Sequence, residues 1–135
     1  MRPALTAEGL AATHAAAFAG KGWPTSDFSD YLNNPTALIF GKDTCFAVLR
    51  VMPPEADLLT LATRPTEQDK GRATAMLRDA LDHLAHNGVE EVFLDVAANN
   101  AAALALYVRA GFTAFDERRN YYPDGSTAIC MKVRL

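Results

Sequence analysis

A chain of 135 residues, 50% hydrophobic and 21% charged, is one domain (residues 1–135), long enough to bury roughly two thirds of its unfolded surface and fold without staples. Its 13 Lys and Arg against 16 Asp and Glu leave a net charge of −3 with both signs mixed along the chain, which argues against tight sequence-independent binding to nucleic acid. No apolar run approaches the ~20 residues of a membrane span, and Thr6, Glu8, Thr13 and His14 interrupt the alanine-rich start too often for a secretory core, so the expectation is a cytoplasmic protein with Cys45 and Cys130 as reduced, buried thiols.

Thr6 to Ala19 reads as a helix with Leu10, His14, Ala17 and Phe18 near one side, stopped by Gly20 and Gly22. Trp23-Pro24-Thr25 sets up a short second helix, capped by Thr25 or Ser26, with Phe28, Tyr31 and Leu32 as its apolar stripe. The aromatic elbow joining the two has two compatible readings, core packing and one wall of a substrate groove. Strand-like runs at Thr36 to Phe40, Thr44 to Met52 and Glu55 to Thr63, with turns at Gly41-Lys42-Asp43 and Pro53-Pro54, predict an antiparallel meander.

The next stretch, Gln68-Asp69-Lys70-Gly71-Arg72-Ala73-Thr74, is a polar turn where a strand hands over to a helix. The first N–H groups of a helix lack intrahelical acceptors and carry the positive end of its dipole, so such a turn is suited to hold an anion. Gly71 and Ala73 keep the backbone bare enough for a ligand to touch it. Lys70 to Asn87 carries Ala73, Leu77, Leu81 and Leu84 at helical spacing, with Gly88 as its left-handed stop. Val92 to Val96 is a short buried strand, and strand, turn, helix, strand implies a parallel crossover.

Asn99-Asn100 caps a further helix that ends at Gly111, and strands at Phe112 to Arg119 and Thr127 to Val133, joined through Asn120 to Ser126, close the chain as a hairpin. The sum is an α/β fold, a mixed sheet with helices on both faces. His14, His83 and His86 lack Cys or carboxylate company at ligand spacing, so no metal site is expected.

With these residues in hand, the chain resembles the GCN5-related N-acetyltransferase (GNAT) superfamily, and within it the ribosomal-protein-alanine N-acetyltransferase group. The resemblance is carried by E-A-D-L-L-T-L-A-T before the polar turn, Q-D-K-G-R-A in it, L-D-V-A-A-N-N-A-A-A-L-A-L-Y-V-R-A-G-F after the next strand and R-R-N-Y-Y-P near the end. It implies the GNAT fold, with acetyl-CoA lying across a splayed pair of parallel strands, one ending at Thr63 and one centred on Asp95. It places the pyrophosphate on the amides of Asp69 to Thr74, in the motif that opens at Gln68 and includes Lys70, Gly71, Arg72 and Ala73. The pantetheine arm then pairs with the backbone of Leu61, Ala62 and Thr63, and Asn100 reaches the coenzyme from its helix cap. No metal or other cofactor is implied.

Tyr107 lies seven residues beyond Asn100, two helical turns along, so the two share a face. In the related enzymes the tyrosine of the matching L-Y sequence donates a proton to the departing thiolate; tucking into the core is its bland alternative. Asp95 is a departure, since the group usually carries glutamate there as general base. A carboxylate shorter by one methylene needs a water to act as base, and a purely structural role for Asp95 stays open. Asn120-Tyr121-Tyr122-Pro123 lies, by this reading, beside the acceptor groove, where paired tyrosines clamp an extended peptide in addition to forming a turn at Pro123-Asp124-Gly125.

An α-amine of pKa near 8 is roughly a quarter neutral at pH 7.5, whereas neutralising a lysine amine near 10.4 costs about 4 kcal/mol. A weak, water-mediated base therefore suits protein N-termini. The first acceptor implied by the resemblance is the N-terminal alanine of a small-subunit ribosomal protein. A small amine such as a polyamine or amino acid is the second, and a module that binds acyl-CoA without transferring it is the rival class.

Overall fold

The computed structural model describes residues 5–135, in which six strands form one mixed sheet of order β1-β2-β3-β4-β6-β5. Helix α1 (Ala7–Ala17) starts where Thr6 Oγ1 accepts the Gly9 N–H at 3.0 Å, and the chain leaves it through Gly20 at φ +83°. Helix α2 (Thr25–Leu32) begins differently from the expectation: Pro24 occupies the cap position with no side-chain cap, and Thr25 is already helical. The proline fixes φ at −67°, and its carbonyl takes the Asp27 N–H at 3.0 Å, so neither hydroxyl is needed to start the turn. Leu10 and Phe28 are fully buried, whereas Leu32, expected in the stripe, is exposed.

Strands β1 (Ala37–Lys42), β2 (Cys45–Met52) and β3 (Glu55–Thr63) form the antiparallel meander. Gly41 and Lys42 pair with Phe46 and Cys45, so the first turn is Asp43-Thr44, shorter than predicted. Gly41 has φ +115°, and a Cβ there would run into the Cys45 carbonyl. Helix α3 (Arg72–His86) buries Met76, Leu77, Ala80, Leu81 and Leu84 and ends before Gly88 at φ +86°. It starts two residues later than expected because Gly71 sits left-handed at its cap.

Strand β4 (Glu91–Ala97) returns parallel to β3. Helix α4 (Ala101–Arg109) follows, and β5 (Thr113–Arg118) and β6 (Ala128–Arg134) make the closing hairpin, with β6 docked on β4. No helix among the described residues is long and apolar enough to cross a membrane. Cys45 and Cys130 are buried and unpaired.

Side-chain alternation splits the core across the sheet. Cys45, Ala47 and Leu49 join Ala56, Leu58, Val92, Leu94 and Val96 under α3 and α4, while Phe46, Val48 and Ala62 pack with Leu10 and Phe28 under α1 and α2. Two irregularities in β3 coincide. Its pairing with β4 runs from Glu55–Glu91 to Leu58–Leu94 and stops, and its register with β2 shifts between Val48–Thr60 and Leu49–Leu58, leaving Leu59 as a bulge. A bulge bends its strand and adds twist. Beyond Leu58 the edge of β3 that faces β4 is therefore unpaired, which is the splay the sequence resemblance implied.

His14 is 3% exposed, and burial lowers its pKa from 6.5 to about 4. The unfolded chain takes up a proton below pH 6.5 that the folded chain refuses until about pH 4, so stability falls as pH drops through this window. His14 should contribute up to about 3 kcal/mol of that loss. Urea unfolding at pH 7 and 4.5, compared with a His14→Gln chain, measures its share.

Candidate active site

The polar turn and the start of α3 form an anion nest. The first intrahelical bond is Ala75 N–H to Gly71 C=O, so the amides of Arg72, Ala73 and Thr74 have no acceptor within the helix, and no side chain caps it. Asp69 and Gly71 are both left-handed, at φ +61° and +73°. Gln68 shapes the turn from inside, its Nε2 donating to the Thr63 carbonyl at 2.9 Å. Arg72 Nη1 lies 3.0 Å from Glu67 Oε2, so its charge is already partnered at the mouth of the nest.

This nest opens into a cleft of about 360 Å³ on the α3 and α4 face of the sheet. Leu61, Ala62 and Thr63 supply one wall from the unpaired part of β3; Gln68, Asp69, Gly71, Arg72, Ala73 and Thr74 supply the floor; Asn100 and Tyr107 supply the wall from α4. Of the predicted coenzyme contacts only Lys70 does not line it, being exposed. Asn100 Oδ1 caps α4 by accepting from Ala103 N–H at 3.2 Å, which leaves its amide nitrogen available to a ligand.

Tyr107 is 8% exposed and stands edge-on to Phe112, ring centroids 5.8 Å apart. Its phenol is pushed up to about 12, first by burial and then by Tyr122 nearby. Arg109 also lines the cleft and had not been assigned to it. Arg109 follows by three Leu106, which also lines the cleft, and so shares its side of α4. Of the aromatic elbow, only Phe18 serves as a wall. Trp23 and Phe28 stack around His14, with ring centroids at 5.0 and 5.5 Å, and Tyr31 packs on Trp23, so those three belong to the core.

Asp95 is not in this cleft. Leu94 and Val96 enter the core below α4, so Asp95 between them points to the opposite face, where it is exposed. There it lines a second groove of about 560 Å³ with Asp57, Leu59, Asp116, Arg118, Tyr121 and Tyr122. The Arg118 guanidinium sits 5.5 Å from the Tyr121 ring, whose centroid is 5.2 Å from that of Tyr122. Asp95 raises the Arg118 pKa; the Tyr122 phenol is raised first by burial and next by Asp95. The turn beyond the tyrosines forms as expected, with Gly125 N–H donating to Tyr122 C=O at 2.8 Å. Asp57 and Asp116 had not been singled out; nothing local in the sequence shows that β3 and β5 bring them to one groove.

A cleft and a groove thus flank the sheet on opposite faces where β3 and β4 part, one with a buried phenol and an anion nest, the other with three carboxylates against one guanidinium. Among the described residues no three His, Cys, Asp or Glu side chains come together as a metal site.

Residues 15–112 match the acetyltransferase (GNAT) family. Over 98 residues the chain is 42% identical to the [ribosomal protein bS18]-alanine N-acetyltransferase of Escherichia coli (strain K12), covering 70% of this chain and 66% of that protein, just under two thirds of its length. The crystal structure of the ribosomal-protein-S18-alanine N-acetyltransferase from Escherichia coli superposes with a TM-score of 0.85 at 34% identity, covering 95% of this chain and 86% of that one. The PaiA N-acetyltransferase of Thermoplasma acidophilum, in complex with coenzyme A, shares the fold at a TM-score of 0.75 and 18% identity, covering 97% and 96%. The family's match over most of the chain, the splayed parallel pair and the nest at the head of α3 together establish that this chain belongs to the GNAT acetyltransferase family.

Proposed function

We propose that this chain is a cytoplasmic acetyl-CoA-dependent N-acetyltransferase that acetylates the N-terminal α-amine of a protein, with a ribosomal protein beginning in alanine as the first acceptor to test. The observation that carries the reading is the end of β3–β4 pairing at Leu58–Leu94, with a cleft on one face and a groove on the other. Acetyl-CoA supplies the acyl group as a thioester. The residues present suit it: the amides of Arg72, Ala73 and Thr74 meet a diphosphate, and the free edge of Leu61 to Thr63 offers backbone partners to an amide-bearing arm.

The acceptor enters from the opposite face. Asp95, the first β4 residue past the last β3–β4 pair, takes through water the proton that the acceptor ammonium must lose before nitrogen attacks. Tyr107, from the other side, offers its hydroxyl to the sulfur as the carbon–sulfur bond breaks. Asp57 and Asp116 make the groove acidic, which favours an acceptor with a further cation beyond its amine.

The test is release of free thiol from acetyl-CoA with a panel of alanine-starting peptides. Transfer is expected, with Ala-Arg peptides used about tenfold better than Ala-Glu peptides at low salt. Coenzyme binding without thiol release for any amine would make the chain a binding module, and transfer only to a polyamine or amino acid would move the acceptor class. Asp95→Asn should lower kcat by about ten- to a hundredfold. Because Asp95 is exposed, stability should change by less than about 0.5 kcal/mol. Asp95→Glu should match or exceed the parent rate in the same assay. An Asp95→Asn chain with parental kcat would leave Asp95 a structural residue.

A further inference from the structure

We propose that His14 is a positioning residue for acyl transfer, holding open the gap between β3 and β4 by pinning the bulge of β3 through Thr60. The segment Leu59–Thr60 is where β3 loses register with β2 and parts from β4. Leu59 packs into the core under α1 and α2, and the Thr60 side chain, next in sequence, also meets α1, so two successive residues face the same way before Leu61 returns to the other core. Such a departure from alternation needs something to hold it. A one-residue slip there would exchange the faces of Leu61 and Ala62 and offer the free edge of β3 renewed pairing with β4.

The holding group is the imidazole. His14 Nδ1 accepts the Trp23 N–H at 2.9 Å, so the ring proton belongs on Nε2, which lies 2.9 Å from Thr60 Oγ1 and donates to it. One side chain thereby ties together α1, the turn into α2 and the bulged strand. Phe18 and Phe28 enclose the ring with Trp23, their centroids at 4.5 and 5.5 Å; none of the groups packed on it carries a charge. A nearby bond, Arg64 Nη2 to Thr13 Oγ1 at 3.3 Å, ties α1 again to the end of β3. One turn past His14, Ala17 and Phe18 line the cleft, and so do Leu61, Ala62 and Thr63 on the strand it grips. His14 itself touches neither the cleft nor the groove, so it acts through Thr60. Packing alone would be served by an apolar ring; the two-sided hydrogen bonding at the bulge is what packing does not require.

Thr60→Val keeps shape and strand preference while deleting the acceptor, and His14→Phe keeps the aromatic packing while deleting the donor. Each should lower kcat/KM by about ten- to a hundredfold through misalignment, and amide exchange at Leu59 to Thr63 should quicken in both. His14→Phe also leaves the Trp23 N–H without its acceptor and should be the poorer single; the double variant should be no worse than it, since the bond to Thr60 is lost in all three. The kinetic readout rests on the acetyltransferase reading, so coenzyme affinity and amide exchange are measured on the same proteins. A parent that transfers nothing counts against that reading, and the exchange and affinity data then decide the role of His14. Thr60→Val with parental kcat/KM, coenzyme affinity and exchange, or losses that add in the double variant, would overturn the proposal.

Discussion

Tyr107→Phe is expected to lower kcat by about one to three orders of magnitude while leaving coenzyme affinity within about twofold. The substitution removes only the hydroxyl; the ring contact with Phe112 at 5.8 Å and the packing under α4 remain, so the chain should fold and its cleft keep its shape. Burial holds the phenol near 12, which has two consequences. The group stays protonated across the whole working range, so no loss of rate between pH 8 and 10 should trace to it. It is also a weaker acid than a thiol of pKa about 8.5, so its contribution is a hydrogen bond that strengthens as sulfur gains charge, with full proton transfer completed by solvent.

The pH profile of kcat/KM should accordingly rise toward the pKa of the acceptor amine and then level, with the same shape in Tyr107→Phe at a lower plateau. An unchanged kcat would reduce Tyr107 to a core aromatic. A rise in coenzyme dissociation constant at unchanged kcat would make its role one of binding.

Ala73→Asp should separate folding from coenzyme binding by weakening the second far more than the first. A carboxylate in the first turn of α3 gains about 0.3–1 kcal/mol from the positive end of the helix dipole, which offsets part of the loss of the contact that half-buried Ala73 makes with the core, so the chain should stay folded. The same charge faces the diphosphate that the free amides of Arg72 to Thr74 are proposed to hold. Repulsion of about 2 kcal/mol corresponds to roughly thirtyfold weaker coenzyme binding, shrinking as salt is added. S-acetylpantetheine, a donor without the diphosphate, should be used equally well by parent and variant. Thermal unfolding and calorimetric titration with coenzyme A make the measurement. Parental coenzyme affinity in a well-folded Ala73→Asp chain would remove the nest from the coenzyme site.

Much of this was legible because it is local. Helix boundaries followed from Thr6, Gly88 and Gly111, and the nest from a left-handed glycine between a strand and an amphipathic run, since caps and φ > 0 positions act within a few residues. Asn100 and Tyr107 fall on one wall because helical spacing puts them there whatever lies opposite. The boundary errors at Pro24 and Gly41 also have local causes, a proline that starts a helix without a hydroxyl and a glycine that stays paired in its strand.

The amino-acid sequence by itself determined the order of elements, the parallel crossover, the polar turn with its unpaired amides and the phenol two turns from a helix cap, because hydrophobic period, capping and backbone punctuation are short-range. Only the tertiary structure decided that Asp95 and Tyr107 lie on opposite faces of the sheet, that Asp57 and Asp116 reach the groove of Asp95, and that His14 grips the bulge at Thr60. Those outcomes depend on which face each helix covers and where two strands stop pairing. They are settled by packing between residues dozens of positions apart, for which no short window of sequence carries a signal.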